Sequence, residues 1–78
     1  MEYTVIFHKA TEGGYWVEVP ALPGCYSQGE TVDEATENIK EAIEAHLAVL
    51  REEKMEMPVD KDIFIGRVGV TQLAGTKI

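Results

Sequence analysis

The stretch VEVPALPGCYSQGETVDEA, residues 17–35, decides the fold of this chain. It opens with alternating apolar residues, as in a half-buried strand, and Pro20 ends that strand because it has no N–H for a ladder bond. Pro23-Gly24 fits the central pair of a type II turn: proline presets a φ near −65° and glycine takes the positive φ. CYSQ, residues 25–28, then reads as a short strand antiparallel to the one before it. Thr31-Val-Asp-Glu34 is a capping box, in which the Thr31 hydroxyl accepts from the Glu34 amide and the Glu34 carboxylate reaches back to the Thr31 amide. A tight strand–turn–strand unit thus feeds directly into a helix.

The segments outward of this stretch extend the pattern. YTVIFHK, residues 3–9, is rich in β-branched and aromatic side chains and reads as a first strand. TEGG at 11–14 turns it into YWVEV at 15–19. After the cap, Ala35, Ile39, Ala42, Ile43, His46, Leu47 and Leu50 follow at steps of 4, 3, 1, 3, 1 and 3, one face of a helix from Val32 to about Lys54 with Leu47 deep beneath it. Pro58 stops any continuation, and IFIGRVGV within residues 62–70 reads as a fourth strand with apolar residues on both faces. The expected architecture is a single α+β domain over residues 1–78, in the order β-β-β-α-β. A right-handed crossover through the helix gives a four-stranded sheet of order 3-2-1-4 with the helix on one face.

Composition narrows the function. A domain of 78 residues has a thin core, a setting that favours oligomerisation as a dimer or tetramer. One cysteine excludes an intrachain disulfide, and the chain carries neither a leader-like start nor an apolar run long enough to span a bilayer, so a cytoplasmic protein without membrane contact is expected. Fourteen acidic against seven basic residues give a formal charge of −7, which repels phosphate backbones and argues against direct nucleic-acid binding.

From Tyr15 to Ala35 the residues, above all V-x-V-P-x-L-P-G-C at 17–25 and G-x-T-x-x-E-A at 29–35, resemble the HicB family of antitoxins from HicA–HicB toxin–antitoxin pairs. The resemblance spans about Tyr3 to Val70. It implies a partly reduced ribonuclease-H-like fold and a small basic HicA-like toxin that cleaves RNA as partner. Many family members append a DNA-binding module; this sequence reaches Ile78 without one, so operon control is not expected of it. Two other functions compete: a stand-alone homo-oligomer without a toxin, and a small metal-dependent nuclease.

The candidate chemistry is sparse. Cys25 has no basic neighbour in sequence to lower its pKa, and a free cysteine of this kind is most often a small buried hydrophobe. Cys25, His8 and His46 lie on three separate elements with no metal-ligand spacing, so neither a metal site nor a cofactor is expected. Two-metal nuclease chemistry needs clustered carboxylates, yet YTVIFHK carries none, and Asp60 and Asp62 precede the fourth strand at the wrong end. No catalytic residue is assigned.

Binding is the remaining reading. Alternation sends Val17 and Val19 toward the helix and Ile6, Trp16 and Tyr26 to the far face, where no second layer covers them. These three, with Phe64 of the fourth strand, form the expected oligomer interface unless the C-terminal tail seals the cluster. Glu34, Glu37, Glu41 and Glu44 recur at spacings of 3, 4 and 3 and make an acidic helix stripe on which a basic toxin would dock.

Overall fold

The computed structural model describes residues 1–72. Its regular elements are β1 (Ile6–Lys9), β2 (Tyr15–Glu18), β3 (Tyr26–Gly29) and α1 (Val32–Glu52). The three strands form one antiparallel sheet in the order β1-β2-β3. Phe7 pairs with Val17, and Val17 in turn with Ser27, so these three residues form one row across the sheet.

The turns form where the glycines and prolines demand. Ala10 and Gly14 close the first hairpin, with Gly13 and Gly14 both at positive φ. Between β2 and β3 the Leu22 amide donates to the Val19 carbonyl at 2.9 Å and the Cys25 amide to the Leu22 carbonyl at 3.0 Å. With Gly24 at φ +86°, the second of these is the type II turn that Pro23-Gly24 predicts. The two turns tuck Leu22 inward to 1% exposure, although it belongs to no strand or helix.

The core is Val17, Val19, Leu22, Cys25, Ala35 and Ile39, with Tyr3, Val5, Phe7, Tyr15, Ala42, Ile43 and Leu47 packed around it. Cys25 is therefore a core residue, and burial pushes its thiol above its ordinary pKa. A raised pKa leaves little thiolate at neutral pH, so the group is a poor nucleophile. Ellman's reagent should modify native Cys25 far more slowly than the unfolded chain; equal rates would show that the loop breathes freely.

Leu47 is only half-buried, not deep in the core as the periodicity predicts. Helix length explains it. The 21 residues of α1 span about 32 Å at 1.5 Å each. The four-residue strands span about 13 Å. The C-terminal half of the helix overhangs the sheet, and the fully buried helix residues are Ala35 and Ile39 near its start.

The helix ends in a Schellman motif. The Lys54 amide donates to the Arg51 carbonyl and the Met55 amide to that of Leu50, at 3.0 and 2.9 Å. Lys54 occupies the left-handed position at φ +58°, where glycine is usual. Lys54→Gly should raise stability by about 1 kcal/mol, read from the midpoint of a urea melt.

The expected fourth strand does not form. Residues 53–72 carry no helix or strand, and residues 59–72 are exposed throughout. The observed sheet thus has three strands, and the fourth position of the 3-2-1-4 order is unfilled among the described residues. IFIGRVGV has strand composition, but a strand exists only beside a partner, and this segment pairs with no strand among the described residues. It is rooted at the start of β1: the Tyr3 hydroxyl donates to the Pro58 carbonyl, and the Thr4 amide and hydroxyl both donate to the Asp60 carboxylate at 2.8 Å. These Thr4 bonds, the amide first, hold the Asp60 carboxyl below its usual pKa. A depressed carboxyl contributes above its ordinary pKa and ceases to as pH falls through the lowered value. The Thr4 amide should therefore lose hydrogen-exchange protection on acidification, earlier than the amides of β2.

Candidate functional site

The face of the sheet opposite the helix carries Ile6, His8, Trp16, Glu18, Tyr26 and Gln28, as strand alternation requires. His8 and Trp16 are register partners, and their rings stack at 4.0 Å with an interplanar angle of 13°. Tyr26 meets Trp16 edge-on at 6.5 Å and 84°. His8 Nε2 lies 2.6 Å from Glu18 Oε2, an ion pair when His8 is protonated. The result is an aromatic ledge held by stacking and one cross-strand polar contact, with Trp16 at 38% and Tyr26 at 64% exposure.

Two concavities flank the Trp16 indole. One, against Tyr26, Ser27 and Gln28, is shallow. The other runs around the sheet end and is lined by Glu12, Trp16, Gln28, Glu30, Glu34 and Asn38 among others. A concavity lined by an indole and by Glu12, Glu30 and Glu34 suits a Lys or Arg side chain by charge complementarity.

The sequence-predicted residues fall into two groups. Ile6, Trp16 and Tyr26 share the far face as expected, on three adjacent strands. Phe64 does not join them: it is 94% exposed in the segment that follows Asp60. The C-terminal tail, as a cover for the cluster, lies outside the described residues over 73–78. Glu37, Glu41 and Glu44 are exposed along the helix. Glu34 is engaged locally. Its amide receives the expected cap from Thr31 Oγ1 at 3.1 Å, but its carboxylate accepts from the Glu30 amide at 2.6 Å and not from Thr31. Thr31 is in extended backbone at φ −127°, and the acceptor reaches one residue further back than the capping box predicts. Glu34 thereby stands on the rim of the Trp16 groove.

From the sequence, His8 is weighed only with Cys25 and His46 as a metal ligand, and neither the His8–Glu18 contact nor the Asn38 bond is legible there. His8 and Glu18 stand diagonally across β1 and β2, which only the strand register reveals. Asn38 donates from Nδ2 to the Gln28 carbonyl at 2.7 Å and ties α1 to the outer edge of β3. No helix among the described residues is long and apolar enough to cross a membrane, and no three of their His, Cys, Asp and Glu side chains gather to hold a metal ion.

The architecture is α+β, three antiparallel strands followed by one long helix that leaves an aromatic sheet face open. The same arrangement occurs in the N-terminal domain of the Burkholderia pseudomallei antitoxin HicB, at a TM-score of 0.68 and 36% identity over 80% of this chain and 73% of that one. The longer HicB chain from the same organism matches at a TM-score of 0.66 and 40% identity, over 73% of this chain and 43% of its own length. Among sequence relatives, the UPF0150 protein Ta0767 of Thermoplasma acidophilum is 52% identical over 77% of this chain and 87% of its own. The UPF0150 protein ssr1765 of Synechocystis is 46% identical over 72% of this chain and 71% of its own. The family model described as "HicB_like antitoxin of bacterial toxin-antitoxin system" matches residues 3–66. The chain belongs to the HicB-like antitoxin family.

Proposed function

We propose that this chain is a cytoplasmic antitoxin that binds and neutralises a small, basic, RNA-cleaving toxin of HicA type, without catalysis or a cofactor of its own. The family match across residues 3–66 carries the reading. The open ledge of His8, Trp16 and Tyr26 supports it, because aromatic residues of this kind are the usual anchors of protein interfaces. The partner's basic side chains would enter the groove between Trp16 and the carboxylates of Glu30 and Glu34. Glu37, Glu41 and Glu44 would steer the encounter from the exposed helix face.

Kinetics separate these roles. Neutralising Glu37, Glu41 and Glu44 together to glutamine should slow association and flatten its salt dependence, with dissociation unchanged. Trp16→Ala should act on dissociation, by roughly tenfold or more. If the triple variant associates with wild-type rate and salt slope, the helix acids are solvated surface and docking lies elsewhere.

A further inference from the structure

Two halves of one β-ladder stand without a partner among the described residues. The first is the outer edge of β1. The Ala10 amide bonds to Gly14, and ladder bonds alternate along an antiparallel pair, so the N–H and C=O groups of Phe7 and Lys9 turn away from β2. No described residue pairs with them in the sheet. The other edge, on β3, is partly closed by the Asn38 bond to Gln28.

The second half is the segment IFIGRVGV. Ile63, Phe64, Ile65, Val68 and Val70 are all exposed, Phe64, Val68 and Val70 almost completely. A contiguous apolar run of strand composition is unstable in water and is a template for pairing with another chain. It also leads away from its own body. The Cα radius of gyration is 17.1 Å and the long dimension 59 Å. A compact domain of this length has a radius near 11.5 Å. The segment therefore extends as an arm from its root at Asp60 and does not lie in the sheet with its own β1 edge.

We propose that two copies of this chain exchange arms: residues 62–70 of each copy add to the free β1 edge of the other. A reciprocal exchange is closed by a two-fold axis, buries both apolar arms and leaves no β1 edge open. The strand order 3-2-1-4 is then completed with the fourth strand supplied by the partner. The hinge is the segment between Met55 and Lys61, which holds Pro58. The exchange rests on the edge and the arm and is independent of toxin binding.

Two measurements on the full chain decide it. The first is sedimentation of the wild type and of Ile65→Pro, a change that removes an arm N–H and blocks pairing. The wild type should be dimeric or larger at about 10 µM, above the Kd of an interface of micromolar strength or tighter. The variant, with its helical far-ultraviolet signal intact, should associate at least tenfold more weakly. The second is an isotope-filtered NOE experiment on a mixture of labelled and unlabelled wild-type chains, which needs no variant. Cross-peaks between residues 5–9 of one copy and 62–70 of the other are expected. A monomeric wild type, a proline variant that associates as tightly, or contacts between edge and arm within one chain alone would each overturn the exchange. So would an arm that becomes protected only when a toxin is added.

Discussion

Gly29→Ala is expected to cost about 3 kcal/mol or more, beyond the usual penalty for one added methyl group in a core. A Cβ built at this position falls 2.5 Å from the Ala35 amide nitrogen and 2.9 Å from the Ala35 Cα. Both are backbone atoms of the first helical turns, and no rotamer change can relieve the overlap. Either β3 or the start of α1 must move, and the Thr31 cap and the Asn38–Gln28 bond are tied to that junction. The glycine and the alanine of G-x-T-x-x-E-A thus serve one purpose, a strand and a helix start in direct backbone contact. Equilibrium urea unfolding measures the effect. A loss below about 1 kcal/mol, within the ordinary range of single substitutions, would mean that the junction yields easily and does not fix the helix.

Leu22→Ala should destabilise the domain by about 2–5 kcal/mol, the range for emptying a buried leucine site. Leu22 is one of the two largest fully buried side chains, and it sits between two turns whose backbone bonds hold the loop rigid. The cavity therefore cannot collapse. Against a total of roughly 4–12 kcal/mol for a chain of this length, the loss unfolds a substantial fraction of molecules. The half-buried Leu47 is the control: alanine there should cost clearly less, because water already reaches the site. Equal costs at the two positions would place the core further along the helix than described.

Local signals were legible in the sequence, and long-range ones were not. Proline, glycine and the Thr31 cap act within four residues, so both hairpin turns and the helix start follow from reading along the chain. Alternation placed Ile6, Trp16 and Tyr26 on one face because the side-chain period of a strand is two whatever its partner. Leu22 escaped because a loop residue has no periodicity to mark its burial. Leu47 was over-read because helix periodicity reports a direction and carries no information on how far the sheet beneath extends. The arm failed for a related reason: strand composition is local, whereas the edge that receives the strand is not.

The site was half legible in the same sense. The aromatic face followed from alternation, but that Glu34 and Trp16 line one concavity depends on how β3 enters the helix. The concavity thus has both apolar and acidic lining, a combination suited to a basic side chain.

As a proposed antitoxin, this HicB-like chain silences an RNA-cleaving partner by occupying its surface. The direct measurement is RNA cleavage by a small basic HicA-type toxin, purified alone and then mixed with this chain in increasing ratio. Cleavage should fall to background near one chain per toxin, and Trp16→Ala should demand a large excess for the same effect. Undiminished cleavage at saturating wild-type chain, with the toxin active and both proteins folded, would rule out neutralisation by this chain.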